Sequence, residues 1–358
     1  MTRTRRSLLG AGGSLLVAST FAGCLGGFDS ADREYDEGYA ALFSLWDWAD
    51  QVSGETMEFR NPVGTGESGH GWSPPGDLTR KVADAGVFVY FDTPEFSWAQ
   101  DIVSTLEEDY DDVVVVDGFE GLDDRLLEWD DEESGHDQED GEHDHEEGED
   151  DHEEGEDDHG DEHEGEGHDH EHDRSSFDPH AWLDPVLATD IVANIADGLA
   201  EVHPDEEETF RDRADEYAGV LDDVDEQFEA LVADADRQTA VLAGHDSFSY
   251  LEERYGFDLH TPVGVSPNEE PSQGEISETI EHIDENGIET ILYDAFDAPE
   301  DQYPRLVETI LDDSDATDAM PLATASGTLA SWEEKGWGYR EQMEEINIPA
   351  FRNALDAQ

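Results

Sequence analysis

Short apolar runs alternate with helical periodicities in two stretches of the chain. Residues 87–91 (VFVYF) and 113–116 (VVVV) are uninterrupted apolar runs, a pattern typical of strands buried on both faces of a parallel sheet. Residues 239–243 (TAVLA) and 288–293 (IETILY) repeat the theme further along. Because strands that alternate with helices indicate an α/β fold, the pattern predicts two α/β lobes.

A long amphipathic stretch separates these two lobes. Between residues 205 and 237, apolar side chains recur every three or four positions, which predicts one helix of about 45 Å. We expect it to link an N-terminal lobe (25–204) to a C-terminal lobe (238–358); a coiled-coil dimer seam is the alternative. The apolar stripe consists of Phe210, Ala214, Tyr217, Leu221, Val224, Phe228 and Leu231.

Two shorter helices are predicted in the second lobe. His245 directly follows a predicted strand and is expected to open a helix that stops at Gly256. Ser272 and Glu275 have the spacing of a capping box, so a second helix is expected to begin there and to end at Gly287.

The tract 130–173 interrupts the first lobe and contains no apolar residue. It cannot bury enough surface to offset its ordering entropy, which predicts a disordered loop. Its dense imidazole and carboxylate groups favour a metal-collecting role, and a solvated spacer is the alternative. The tract contains nine histidines: His136, His143, His145, His152, His159, His163, His168, His170 and His172.

Acidic residues dominate the rest of the chain as well. The tract holds 26 of the 97 acidic residues, so 71 remain elsewhere against 17 lysines and arginines in all, and the formal net charge is -80. That charge excludes a nucleic-acid binder and charge-driven docking on anionic lipid. Excess carboxylate with only two lysines, Lys81 and Lys335, indicates adaptation to very high salt, where self-repulsion is screened.

The first 24 residues are typical of an export signal. Arg5 and Arg6 begin a twin-arginine motif, and an apolar, glycine-broken run at 8–21 leads to Cys24, the only cysteine of the chain. Small residues before a cysteine are typical of a lipobox, so we expect Cys24 to carry the lipid that holds the protein on the outer face of the membrane. A buried N-terminal helix is the alternative.

Three of the six histidines outside the tract lie where metal ligands are expected. His70 follows a glycine-rich turn, and His180 lies in the proline-bracketed string FDPHAWLDP. His245 follows a predicted buried strand, and the carboxyl ends of such strands present ligand sites. Each histidine alone is equally consistent with a structural, hydrogen-bonded role, so only convergence in space makes a site. The remaining three are His203, His260 and His282.

Several strings together resemble one family. Residues 178–185 (DPHAWLDP) and 244–250 (GHDSFSY) are similar to the zinc-binding class of substrate-binding proteins of ABC transporters, with further matches at 69–77 and 267–272. Tyr339, Met343 and Asn347 resemble its last helix, so the similarity runs from about residue 40 to 355. The resemblance implies two lobes, a long backbone helix, an acidic His-rich loop and a metal site in the interlobe cleft.

The resemblance also implies a ligand set. His70 and His180 would come from the first lobe and His245 from the second, and imidazole at the third position suits Zn²⁺, whereas manganese members use a carboxylate there. One departure is Met320, because the family often has an aspartate before the Pro-Leu pair. Asp294, Asp318 or water would then complete the coordination.

The predicted function is capture of Zn²⁺ and its delivery to an ABC permease with its ATPase, by a lipid-anchored, monomeric, non-enzymatic protein. A secreted zinc hydrolase is an alternative, since three histidines and a water also describe a catalytic site; the chain lacks a His-Glu-x-x-His motif. The sequence is also compatible with a manganese-specific member of the family, and with a metal buffer or adhesion protein that has no transport role.

Overall fold

The computed structural model describes residues 35–110, 112–128, 177–264 and 270–357. The first lobe is built on a parallel sheet with the strand order β2-β1-β3-β4. The predicted apolar runs lie in β3 and β4. The elements are β1 Glu37–Ala40, α1 Phe43–Ser53, β2 Glu58–Arg60, α2 Leu78–Ala85, β3 Val87–Tyr90, α3 Ser97–Asp109 and β4 Val114–Asp117.

The second lobe repeats this topology. A parallel bridge between Leu242 and Leu292 joins two parallel strand pairs into the order β6-β5-β7-β8, which matches the first sheet strand for strand. The architecture is therefore two α/β lobes, as predicted. The elements are β5 Thr239–Val241, α6 Ser249–Tyr255, β6 Asp258–His260, α7 Gln273–Asn286, β7 Thr290–Asp294, α8 Arg305–Asp313 and β8 Asp318–Leu322.

Helices α4 (Pro185–Val202) and α5 (Glu207–Ala233) lie between the two sheets in sequence. All seven residues of the predicted stripe on α5 are buried. They are covered by the same chain: Tyr217 donates to Asp47 of α1, and Phe228 stacks on Tyr255 of α6 with ring centroids 5.1 Å apart. The stripe is thus part of the protein's own core and does not form a dimer seam. The helix is shorter than predicted at both ends.

The predicted start of α6 is wrong. The helix begins at Ser249, four residues after His245, because the Asp246 carboxylate accepts from Phe248 N at 3.0 Å and holds a non-helical turn. The predicted end is confirmed, since Gly256 has the left-handed φ of 72° that favours glycine. In α7 the predicted capping box is confirmed, with Glu275 N donating to the Ser272 hydroxyl.

The C-terminal segment packs back on the first lobe. It comprises α9 Ala330–Glu333, α10 Tyr339–Gln342, a π-helical turn Met343–Asn347 and α11 Ile348–Ala354. Tyr339 donates its hydroxyl to the Trp182 carbonyl at 2.9 Å, and Ser44 N donates to the Ala325 carbonyl at 3.1 Å. These hydrogen bonds join the C-terminal part of the chain to the first lobe.

Three predictions fall outside the described residues: the signal segment 1–24, the lipidated Cys24 and the acidic tract 130–173. In the part of the chain that the structure does describe, no helix combines the length and the apolar character needed to cross a bilayer.

Candidate metal centre

His70 lies in the connection between β2 and α2, and this connection packs closely against the core. A Cβ on the preceding Gly69 would lie 2.1 Å from Leu42 Cδ2, so only glycine allows the chain this close. The imidazole is 7% exposed, and its Nδ1 is 2.8 Å from the Glu95 carboxylate. Glu95 follows β3 at the carboxyl edge of the same sheet. The contact leaves Nε2 of His70 as the nitrogen available to a ligand.

His180 is fully buried in a 3₁₀ turn directly before α4. The Asp178 carboxylate accepts from the His180 backbone N at 2.9 Å and lies 2.7 Å from its Nδ1. From α6 of the second lobe, Ser249 donates to the other Asp178 oxygen at 2.6 Å, and Tyr250 donates to the Asp178 carbonyl at 2.7 Å. Burial alone would raise the pKa of the Asp178 carboxyl, but His180 and the Ser249 hydroxyl hold it below its ordinary value.

His245 comes from the second lobe, in the connection that follows β5. Its Nε2 lies 2.7 Å from the hydroxyl of Ser247, which is 1% exposed. Burial, together with the neighbouring His180 and His70, lowers the pKa of His245 to about 2. The pKa of His70 is also lowered, mainly by burial. Both imidazoles are therefore neutral at pH 7, the state that binds metal.

The three imidazoles converge on one point. Nε2 of His70 and Nε2 of His180 are 3.3 Å apart, close to the roughly 3.4 Å between two ligand nitrogens in a tetrahedral zinc site with 2.0–2.1 Å bonds. The ring centroid of His245 is 5.6 Å from that of His70 and 5.8 Å from that of His180. One ligand atom from each residue lies within 4.8 Å of the others. A set of three imidazoles suits Zn²⁺ better than Mn²⁺.

The predicted fourth ligands are not brought to this cluster, which among the described residues contains only the three histidines. Asp318 begins β8, and with about 3.3 Å per residue it lies some 13 Å from the strand's carboxyl end. Asp294 ends β7 but is buried and accepts from Phe296 N at 2.9 Å; burial and Asp297 raise its pKa to about 8. Neither aspartate belongs to the three-histidine cluster, and the identity of the fourth ligand stays a prediction.

The three remaining described histidines have structural contacts elsewhere. His203 Nε2 lies 2.8 Å from the Tyr35 carbonyl, and His260 stacks on His282 with ring centroids 4.4 Å apart. The roles of Glu95 and Ser247 were not predicted from the sequence. Glu95 follows a buried strand, the same signal that singled out His245, whereas no sequence signal places Ser247 on an imidazole.

Two α/β lobes contribute to one partly buried cluster of three imidazoles, an arrangement that indicates a two-lobed metal-binding protein. Residues 39–348 match the family described as ZnuA, zinc-uptake complex component A, periplasmic. The chain belongs to this family.

Individual relatives agree with this assignment. The chain is 28% identical over 259 residues to the zinc-binding lipoprotein AdcA of Streptococcus pneumoniae (strain ATCC BAA-255 / R6), covering 71% of this chain but only 44% of AdcA. It thus spans less than half the length of that relative. It is 24% identical over 328 residues to the high-affinity zinc uptake system protein ZnuA of Bacillus subtilis (strain 168), covering 91% and 90% of the two chains.

The fold is shared with solved structures. The Zn(II)-bound ZnuA-like domain of Streptococcus pneumoniae AdcA superposes with a TM-score of 0.65 at 23% identity, covering 89% of this chain and 98% of that domain.

Proposed function

We propose that this chain is the extracytoplasmic zinc-binding component of an ABC metal importer. It captures Zn²⁺ between its lobes and delivers it to a membrane permease that works with an ATPase. The observation that carries the proposal is the convergence of His70, His180 and His245 on one point. The zinc-binding names of its relatives AdcA and ZnuA support it.

The chemistry of the centre favours zinc over manganese. All three candidate ligands are imidazoles, and among the described residues no carboxylate joins the cluster, whereas Mn²⁺ favours carboxylate and water oxygens. The three-histidine set with water also describes a catalytic zinc site. The carboxylates nearest the candidate ligands, Glu95 and Asp178, contact histidine Nδ1 atoms, so their geometry supports ligand positioning rather than general-base chemistry. We therefore propose binding without catalysis.

The finer parts of the proposal rest on the sequence. The twin arginines and Cys24 support export by the twin-arginine route and a lipid anchor on the outer face of the membrane. The 71 acidic residues outside the tract 130–173 support an origin in very high salt. The nine histidines of that tract support a role in collecting metal near the cleft. We also propose that the protein acts as a monomer.

The proposal is tested by zinc titration of the full chain against a high-affinity chromophoric chelator, which detects only the tight site. We expect one tightly bound Zn²⁺ per chain and a loss of affinity of at least about 100-fold in each of His70→Ala, His180→Ala and His245→Ala. His203→Ala is the matched control and should bind as the wild type does. Persistence of tight binding in all three variants would refute the site, and turnover of ester, peptide or phosphate substrates would support the hydrolase alternative.

A further inference from the structure

The three candidate ligands differ in how their second nitrogen is held. His70 and His180 place Nδ1 on the carboxylates of Glu95 and Asp178, which leaves both Nε2 atoms facing each other at 3.3 Å. His245 is held at the opposite nitrogen, since the Ser247 hydroxyl lies 2.7 Å from its Nε2. On two ligands the supporting contact therefore leaves Nε2 free, and on the third it occupies Nε2.

We propose that the Ser247 hydroxyl competes with the metal for Nε2 of His245 and makes His245 the ligand that binds last and leaves first. The inference rests on the proposed function, because it takes Zn²⁺ as the cargo. In this proposal Ser247 lowers the affinity for Zn²⁺ and speeds its release. Both effects favour delivery of the metal to a permease.

The energetics follow from the burial of Ser247. It is 1% exposed, and within the described part of the chain its hydroxyl bonds only to His245. When the metal takes Nε2, this buried hydroxyl loses its partner, and an unpaired buried hydroxyl is unfavourable. In the tautomer that carries its proton on Nδ1, Nε2 of His245 accepts a hydrogen bond from the serine hydroxyl. Removing the hydroxyl removes the competitor.

Ser249 provides a matched control two residues away. Its hydroxyl donates to Asp178 at 2.6 Å, and Asp178 in turn holds His180 with Nε2 free. Ser249 therefore supports a ligand, whereas Ser247 competes for one. The same chemical change, serine to alanine, is expected to have opposite effects at the two positions, and a general loss of packing would move both in the same direction.

The test compares full-chain wild type, Ser247→Ala, Ser247→Thr and Ser249→Ala by chelator competition and by stopped-flow release of Zn²⁺. We expect Ser247→Ala to bind Zn²⁺ about three- to tenfold more tightly, the value of one neutral hydrogen bond, with slower release. Ser247→Thr keeps the hydroxyl and should match the wild type, and Ser249→Ala should bind more weakly.

A spectroscopic readout reports the contact directly. In metal-free protein labelled with ¹⁵N-histidine, Ser247→Ala should shift the Nε2 resonance of His245, assigned with His245→Gln, and leave those of His70 and His180 in place. Weaker or unchanged zinc binding in Ser247→Ala would overturn the inference and indicate that His245 coordinates through Nδ1 with Ser247 as its support. Absence of tight zinc binding in the wild type would overturn the proposed function instead.

Discussion

The Asp178 carboxylate is the contact whose removal should most clearly separate ligand positioning from ligand presence. It is 2% exposed and receives three donors: the backbone N of His180, its Nδ1–H and the Ser249 hydroxyl. Asp178→Asn keeps the shape and one acceptor oxygen but removes the charge. The three histidines remain, so a change in affinity reflects the loss of the charge and of the charge-assisted bonds that hold His180.

The expected magnitude follows from the two bonds to His180. Each is charge-assisted and falls in strength from about 1.5–3 to about 0.5–1.5 kcal/mol when its acceptor becomes neutral. The bond to Nδ1 matters most, because a metal on Nε2 makes the ring more acidic and strengthens its bond to an anion. Partners of this kind change metal affinity by about 10- to 100-fold, and we expect Asp178→Asn to bind Zn²⁺ at least about tenfold more weakly.

The assay is chelator competition in molar KCl, where long-range attraction of cations to the acidic surface is screened. Asp190→Asn is the matched control, since Asp190 is half-exposed on α4 and pairs with Arg125 at the surface, a contact worth little. Circular dichroism should show that both variants are folded. Zinc affinity in Asp178→Asn equal to that of the control would refute the reasoning that Asp178 positions His180.

Three further predictions concern the pH dependence of stability, the close packing of the chain beside His70, and the acidic tract. Burial raises the pKa of Asp47 from 3.8 to about 6. The contribution of Asp47 to stability is therefore greatest below pH 3.8 and is lost as the pH rises through 6. Over that window the free energy of unfolding of Asp47→Asn should rise by up to roughly 3 kcal/mol relative to that of the wild type, measured by denaturant titration. Gly69→Ala places a Cβ 2.1 Å from Leu42 and should weaken zinc binding in chelator competition by displacing His70. Deleting 130–173 should remove only weak additional metal equivalents, counted by equilibrium dialysis.

Each of these has its own contrary outcome. A stability difference between Asp47→Asn and wild type that does not vary between pH 4 and 7 would show that burial does not raise this pKa. Gly76→Ala has open space around its Cβ and should bind zinc normally; equal effects at Gly69 and Gly76 would argue against the steric account. Loss of the tight site on deletion of the tract would show that the tract supplies a primary ligand.

The elements that the sequence predicted well are those fixed by local patterns. The stripe on α5 follows from a period of three to four, and Gly256 and Ser272 mark helix ends through backbone conformation and capping chemistry. The start of α6 was missed because the side chain of Asp246 bonds to Phe248 N and diverts the chain from helix. Such a choice depends on one side-chain contact that periodicity does not contain.

The sequence singled out the three histidines that converge in the structure, but it did not predict the residues that contact their second ring nitrogens. His70, His180 and His245 stood out through their neighbours in sequence and the family resemblance. Glu95 reaches His70 across 25 positions and Ser249 reaches Asp178 across 71, so both contacts depend on how strand ends and lobes meet. Asp318 is the first residue of β8, and the sequence alone did not show where this strand begins.

X-ray absorption at the zinc edge of the full chain carrying one Zn²⁺ tests the three-histidine centre most directly. We expect nitrogen or oxygen ligands at about 2.0–2.1 Å with the multiple-scattering pattern of three imidazoles and no sulfur. Loss of one imidazole contribution in His245→Ala would confirm that the second lobe supplies a ligand. A spectrum dominated by carboxylate oxygens, or by fewer than three imidazoles in the wild type, would contradict it.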